Sequence, residues 1–172
     1  DHVEKGFGFG EHPHRDMEII SIPLEGELEH KDNMGHVQTI AQGDVQVMSA
    51  GTGIVHSEYN RSKEEDVRFL QIWIVPNEIS VAPRYDQRTF ESKSYENNLL
   101  PMVSTSLPNT MFIHQDALIS RIRMEAGRDL SYELSGQNKG VYLFVIEGEI
   151  ACFQEHIKAR DAIGIWETDT FE

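Results

Sequence analysis

The sequence predicts an all-β protein with two related barrel domains, and two observations support this prediction. Short runs of β-branched and aromatic residues alternate with glycine, proline, asparagine and aspartate along most of the chain, as strands and tight turns do in all-β folds. A segment containing a Glu-Gly-Glu turn also occurs twice, once in each half of the chain. We therefore expect two β-barrels or sandwiches of the double-stranded β-helix (jelly-roll) kind.

The first series of predicted strands lies in the N-terminal half. Its members are residues 17–24, 27–31, 37–41, 45–49 and 67–75. Most of these runs contain Val, Ile or other residues that favour strands, and turn-forming residues separate them. This series places the first domain at residues 1–80.

The second series follows a polar, proline-containing interval. Its members are residues 117–125, 141–146, 149–153 and 162–167. They place the second domain at residues 111–172. The interval, residues 81–110, is predicted to be the inter-domain connection, and its stretch 86–98 could hold a short helix.

The two series are related by sequence. Ile22–Leu28 recurs as Phe144–Ile150 at an offset of 122 residues, and Gly43–Ser49 resembles Arg160–Trp166 at an offset of 117. In the first pair a strand runs into Glu-Gly-Glu, where glycine allows a tight turn at low steric cost. An internal duplication explains both matches, although a common hairpin turn could also occur twice by chance.

Composition excludes several classes of partner. The chain has 15 Lys and Arg against 29 Asp and Glu, a formal net charge of -14, so it lacks the basic surface of most nucleic-acid-binding proteins. The single cysteine, Cys152, cannot form an internal disulfide. No apolar stretch reaches the roughly 18 residues of a membrane span. We therefore expect a cytoplasmic protein with no direct nucleic-acid or membrane partner.

Two short motifs place histidines at the spacing of side chains that share one face of a strand. The first reads Gly-Glu-His12-Pro-His14 and the second Gly-Ile-Val-His56-Ser-Glu58. Because alternate side chains of a strand point to the same face, each motif presents a pair of potential ligands. Either pair alone is weak evidence, since most such histidines are solvated or hydrogen-bonded. Two facing strands that carry both pairs would form a four-ligand cage.

This set of donors suits Fe(II), Mn(II), Ni(II), Cu(II) or Zn(II). A site on a barrel wall can also leave coordination positions open for water, substrate or oxygen. The other histidines lack such pairing and receive no chemical role; among them, His30 is predicted to lie on the outer face of its strand.

The sequence around these motifs resembles the pirin family of the cupin superfamily. The matching runs are Gly6–Ser21, Leu24–Gly35, Val47–Asn60, Gln71–Pro76, Pro83–Gln87 and Ile113–Ala117. The resemblance implies a bicupin whose N-terminal barrel binds one divalent metal ion through His12, His14, His56 and Glu58. Fe(II) is the metal that it implies first, with Mn, Ni, Cu, Co or Zn as alternatives.

The fourth ligand has a second candidate. The general cupin pattern uses the glutamate that follows His-x-His, which here is Glu18, and strand parity places Glu18 on the same face as His14. The pirin resemblance favours Glu58. In the second copy, the offset of 122 residues places Leu134 and Gly136 at the positions of His12 and His14, so we expect that barrel to bind no metal. Family members usually have more chain at both ends, so this chain looks trimmed.

The resemblance also implies an activity. Several pirin-like proteins resemble flavonol 2,3-dioxygenases, so the first hypothesis is a quercetin 2,3-dioxygenase that takes a small aromatic, flavonol-like substrate and O2. The metal would act as Lewis acid and template, and Glu58 would accept the proton of the substrate hydroxyl. The alternative is a non-enzymatic, metal-dependent module that binds and modulates a transcription factor or metabolic enzyme, for which the acidic surface would suit a basic partner.

Overall fold

The computed structural model of the protein describes residues 1–134 and 139–172. The chain forms two compact units, Asp1–Met124 and Glu125–Glu172. No helix among the described residues has the length and apolar character needed to cross a membrane.

The first unit is built from short antiparallel strands and one 3-10 helix, Ser92–Tyr95. Its strands are β1 (His2–Val3), β2 (Gly8–His14), β3 (Glu18–Glu25), β4 (Glu27–Asp32), β5 (Val37–Ala41), β6 (Asp44–Ser49), β7 (Ile54–Tyr59), β8 (Val67–Ile74), β9 (Arg84–Thr89), β10 (Leu100–Ser104) and β11 (Leu118–Arg121). A five-stranded sheet has the order β1-β8-β3-β6-β9, a four-stranded sheet has the order β2-β7-β4-β5, and β10 pairs with β11.

The five-stranded sheet is covered on both faces, which explains why nearly every residue of β3 is buried. On one face, Ile19 of β3 and Met48 of β6 pack with Ile54 of the four-stranded sheet. On the other face, Ile20 and its neighbours pack against residues of the segment that follows the 3-10 helix, among them Met111. Because neighbouring strand residues point to opposite faces, both faces of β3 must be apolar, and its sequence Ile-Ile-Ser-Ile-Pro-Leu satisfies this.

The interval predicted as an inter-domain connection contributes to the first unit. Strand β9 pairs along its whole length with β6, and Met102 and Val103 are buried in the cluster that contains Ile20. The division at Met124 therefore differs from the predicted boundaries at residues 80 and 111. The reason is that one face of the five-stranded sheet is covered by Phe90 and by residues of the segment 100–119. The short helix foreseen within residues 86–98 is limited to the 3-10 turn.

Replacing Met111 by alanine should lower the free energy of unfolding by about 2–5 kcal/mol, because it leaves a cavity in the core. Met111 is 0% exposed and packs in the cluster of the five-stranded sheet. Leu107→Ala is the control, since Leu107 is 43% exposed and should cost little. Urea denaturation of the two variants measures the difference. Equal costs would show that the segment does not complete this core.

The second unit contains three antiparallel strand pairs among its described residues. Its strands are β12 (Tyr132–Glu133), β13 (Gly140–Phe144), β14 (Glu149–Cys152), β15 (Glu155–Lys158), β16 (Ala162–Trp166) and β17 (Thr170–Phe171). The pairs are β12 with β17, β13 with β16, and β14 with β15. Val145, Cys152, Ile157 and Ile165 form its buried apolar cluster.

The strand pairing confirms the internal duplication. In the first unit Ser21 pairs with Gln46, and adding the offsets of 122 and 117 residues gives Leu143 and Ile163, which also pair. The neighbouring hairpins agree in the same way, because four of the five pairs of the β4–β5 ladder correspond to the four pairs of the β14–β15 ladder. In this register Cys152 occupies the position of His30. The two copies therefore share a hydrogen-bonding register as well as sequence.

Candidate metal centre

Three histidines meet where β2 lies beside β7. His12 and His14 alternate along β2 and so share a face, and His12 pairs directly with His56 of β7. The ring centroids are 4.9 Å apart for His12 and His14, 4.4 Å for His12 and His56, and 4.9 Å for His14 and His56. One ring nitrogen from each lies within 4.8 Å of the others. The structure thus brings together the three histidines named from sequence.

An irregularity in β2 positions His12. Phe9 pairs with Glu58, and the next regular pair is His12 with His56, so β2 uses one more residue than β7 over this step. The extra residue is a β-bulge, which redirects the side chains that follow it. Phe9 shares a face with its partner Glu58 and therefore with His56, which is two residues from Glu58 on β7. Without the bulge, strand alternation would place His12 on the opposite face. The bulge therefore allows His12 to share the face on which His56 lies.

The environment of His56 suits a metal ligand. Its side chain is 1% exposed, and its Nε2 atom is buried with no hydrogen-bond partner among the described residues. Burial, together with the neighbouring imidazoles of His12, His30 and His14, lowers the pKa of His56 to about 3. Burial and the nearby His12 also lower the pKa of His14. Both imidazoles are therefore neutral at neutral pH and have a free lone pair, as metal binding requires.

Glu58 lies two residues after His56 on β7 and is also buried. Its two carboxylate oxygens accept hydrogen bonds from Ser21 Oγ at 3.4 Å and from Gln71 Nε2 at 2.8 Å. These donors belong to the five-stranded sheet, so the contacts cross from one sheet to the other. Burial raises the pKa of Glu58, against the opposing effects of the Gln71 bond, His12 and the Ser21 bond.

Glu18, the other carboxylate considered from sequence, lies elsewhere. One of its oxygens is 3.1 Å from His114 Nδ1, and the other accepts a hydrogen bond from Ser49 Oγ at 2.8 Å. Glu18 and Ser21 are three residues apart on β3, so their side chains point to opposite faces of the sheet. Because Ser21 reaches Glu58, Glu18 points away from Glu58. The expected shared face with His14 fails because residues 15–17 form a turn between β2 and β3. Among the described residues, Glu58 shares a cluster of potential ligand atoms with His56 and His30, but neither carboxylate joins the cluster of His12, His14 and His56.

His30 was predicted to lie on the outer face of its strand, and this was wrong. It is 0% exposed and lies on the inner face of β4, directly across from Glu58 of β7. Its Nε2 atom is 3.1 Å from Asp32 Oδ2, and its Nδ1 atom is 3.5 Å from His56 Nδ1. The alternation of His30 and Asp32 in sequence is the same signal that identified His12 and His14. His36 also contacts Asp32, at 2.8 Å.

A tryptophan outside the two histidine motifs lies beside the histidines. The ring of Trp73 is 5.1 Å from that of His14, at 78° to it, and the residue is 55% exposed. Its Nε1 atom donates to Gln71 Oε1 at 3.3 Å, and Gln71 in turn donates to Glu58. Alternation of Gln71 and Trp73 on β8 places both on the face of the sheet that carries Ser21. An exposed aromatic ring thus adjoins the candidate site.

The donors present fit a divalent first-row metal ion. Neutral imidazoles with a buried carboxylate nearby are typical ligands for such ions, and Nε2 of His56 has no hydrogen-bond partner among the described residues. Two clusters of potential ligands occur in residues 1–134 and 139–172: His12 with His14 and His56, and His30 with His56 and Glu58. Both belong to the first unit. At the second-copy counterparts of His12 and His14, Leu134 is apolar, and Gly136 lies outside the described residues.

An all-β chain with a duplicated strand ladder and a histidine–glutamate cluster between two sheets defines a bicupin. Residues 1–74 match the family described as Pirin, and residues 103–172 match the family described as the quercetinase C-terminal cupin domain. The chain belongs to the pirin family of cupins.

Relatives and solved structures agree with this assignment. A protein of Escherichia coli K12 named quercetin 2,3-dioxygenase is 36% identical over 167 residues, covering 97% of this chain and 71% of the relative. A pirin-like protein of Caulobacter vibrioides is 35% identical over 167 residues, covering 96% and 71%. The crystal structure of the E. coli pirin YhhW in complex with nickel(II) is 34% identical with a TM-score of 0.92, covering 99% of this chain and 72% of that one.

Proposed function

We propose that this protein is a metal-dependent dioxygenase that cleaves flavonols such as quercetin. The observation that carries the proposal is the convergence of three imidazoles, one with a buried and unpartnered Nε2 atom, beside a buried carboxylate. The relative named quercetin 2,3-dioxygenase supports the reaction class. The substrates in this proposal are a small planar aromatic hydroxyl compound and O2.

In the proposed site, His12, His14, His56 and Glu58 hold one divalent metal ion. When bound, the ion supplies Lewis acidity and a template for substrate and oxygen. The nickel complex of the E. coli pirin makes Ni(II) a candidate beside Fe(II), Mn(II), Cu(II), Co(II) and Zn(II). The protein contributes fixed orientations, because β2 and β7 are hydrogen-bonded neighbours and their ligands cannot move apart independently.

Glu58 is proposed to have a second role as the general base. Each of its oxygens accepts one protein hydrogen bond, and a carboxylate has further lone pairs available. Burial raises its pKa, which makes the carboxylate a better proton acceptor. The substrate hydroxyl proton would therefore move to a Glu58 oxygen, while Ser21 and Gln71 hold the carboxylate in place. The inner-face location limits the access of bulk water to that proton.

Trp73 is proposed to form one wall of the substrate site. Its ring lies beside His14 and is largely exposed, so a planar aromatic molecule bound near the histidines could contact it. Aromatic contacts of this kind are worth about 0.5–1.5 kcal/mol beyond the area that they bury.

Trp73→Ala should raise the KM for quercetin about tenfold with a smaller change in kcat, because it removes a contact made equally in the ground and transition states. Steady-state oxygen uptake at several quercetin concentrations measures both constants. Trp166→Ala is the matched control, since Trp166 is exposed and lies in the second unit. A loss confined to kcat, or an equal effect of both variants, would argue against Trp73 as a substrate contact.

The proposed activity is tested by oxygen uptake with quercetin. Protein stripped with a chelator and reloaded separately with Fe(II), Mn(II), Co(II), Ni(II), Cu(II) or Zn(II) should consume O2 with at least one of them, and the stripped protein should not. The metal content of each sample is measured in parallel. Metal binding without turnover for any ion would exclude the flavonol reaction and favour the non-enzymatic binding module.

A further inference from the structure

The side chains of Asp32, His30 and His56 are buried and contact one another in series beside the candidate metal centre. The carboxylate of Asp32 is 3.1 Å from Nε2 of His30, and Nδ1 of His30 is 3.5 Å from Nδ1 of His56. The side chains of Asp32 and His30 are 0% exposed, and His56 is 1% exposed. The pairing of β4 with β7 explains the arrangement, because Asp32 is directly across from His56 and His30 directly across from Glu58.

The positions of the protons follow from the donor and acceptor capacities of these groups. A carboxylate only accepts, so His30 must carry a proton on Nε2, the nitrogen that contacts Asp32. A neutral His30 then has a bare Nδ1, which can only accept. The nitrogen of His56 that faces it must therefore be the N–H donor, and this leaves Nε2 of His56 as the bare nitrogen. That is the same atom that has no partner in the structure.

Asp32, the first group of this series, is itself held in place by hydrogen bonds. Asp32 also accepts hydrogen bonds from the His36 ring at 2.8 Å and from the backbone N–H groups of Met34 and His36. Burial alone would raise the pKa of Asp32, but the hydrogen bonds from His30 and His36 outweigh it and lower the pKa. Asp32 is therefore an anion that can only accept from His30.

We propose that His30, anchored by Asp32, is a positioning residue that holds His56 in the Nδ1–H tautomer with Nε2 free to bind the metal. The inference rests on the proposed metal site, because it describes how one of its ligands is prepared. Groups that orient metal-bound histidines in this way fix the tautomer and the plane of the ring. His30 then acts only through His56 and does not touch the ion.

The other role for His30 is that of a ligand, since it forms a possible donor cluster with His56 and Glu58. The hydrogen bonds argue against this role. Nε2 of His30 is committed to Asp32 and Nδ1 to His56, so neither nitrogen has a lone pair free for an ion. As a ligand, His30 would have to release one of these partners and leave a buried polar group unpaired.

The first test reads the tautomer directly in metal-free protein. Long-range proton–nitrogen NMR correlations with 15N-labelled histidine identify the protonated nitrogen of each ring. Wild-type His56 should be protonated at Nδ1. His30→Phe, which keeps a planar ring but no nitrogen, should lose this preference, whereas His30→Asn should retain it because its side-chain oxygen can still accept. An Nε2–H tautomer of His56 in the wild type would overturn the proposal.

The second test measures Ni(II) affinity by competition with a chelator of known affinity. His30→Phe should weaken Ni(II) binding about 10- to 100-fold, with partial recovery in His30→Asn, as is typical for loss of a group that orients a ligand. The matched control is His36→Phe, because His36 contacts the same Asp32 carboxylate and its ring also lies beside Tyr85, stacked at 4.7 Å, where the His30 ring is tilted at 4.9 Å. An equal loss in His36→Phe would overturn the specific role of His30.

The two proposals fail in different ways. If wild-type protein does not bind Ni(II) or another divalent ion, the proposed function fails, and the tautomer of metal-free His56 still decides whether His30 fixes that ring. If wild-type protein binds Ni(II) but His30→Phe binds as tightly, the metal site stands and the positioning role fails. Tight binding by His12→Ala together with complete loss in His30→Phe would make His30 a ligand and contradict the inference.

Discussion

Protein in which alanine replaces His12 should lose its metal ion during purification. His12 is one of the three histidines with ring nitrogens within 4.8 Å of one another. If four ligands share a binding free energy of about 10–16 kcal/mol, loss of one removes roughly 2.5–4 kcal/mol, or about 100- to 1000-fold in affinity. Elemental analysis and Ni(II) titration measure the loss.

The control for this prediction is His156→Ala, since His156 is exposed on β15 of the second unit. This variant should retain the metal content of the wild type. Unchanged Ni(II) affinity in folded His12→Ala would remove His12 from the proposed ligand set. It would then favour the cluster of His30, His56 and Glu58.

Glu58→Gln should lower quercetin-dependent oxygen uptake about a hundredfold or more, because an amide has no negative charge and cannot serve as the proton acceptor. The substitution keeps the shape of a side chain that is held between Ser21 and Gln71. Oxygen uptake, measured with metal content normalised, separates the loss of the base from the loss of the ion.

Glu18→Gln is the matched comparison, because Glu18 is equally buried but contacts His114 and Ser49 instead of the histidine cluster. We expect it to lower stability by weakening the contact with His114, and to cost less activity than Glu58→Gln. Full turnover and metal content in Glu58→Gln with loss of both in Glu18→Gln would assign the fourth ligand to Glu18.

Much of the fold could be predicted because local sequence and burial agree. The predicted strands 37–41 and 45–49 correspond to β5 and β6 within one residue, since each is bounded by turn residues. The repeat was detectable because Glu-Gly-Glu recurs in the same structural position. The meeting of His12, His14 and His56 also followed from strand parity, which is a local property of the chain.

Other features depend on contacts that strand parity does not give. The burial of His30 requires knowing that β4 lies beside β7, a pairing between distant strands. The location of Glu18 depends on the turn that separates β3 from β2, which breaks the parity count. The bulge between Phe9 and His12 is likewise a property of the pair of strands rather than of one. The extent of the first unit depends on which later segment covers its sheet.

The matched ladders of the two copies bear on how the metal and the fold depend on each other. In the second copy the same register is formed with Cys152 at the position of His30 and with Gly140 at the position of Glu18. Backbone pairing and an apolar cluster are therefore enough to build this ladder without those polar groups. By the same reasoning, we expect the first unit to fold before an ion arrives and to exchange one ion for another while folded. The metal found in a purified sample would then report the supply in the cells that produced it.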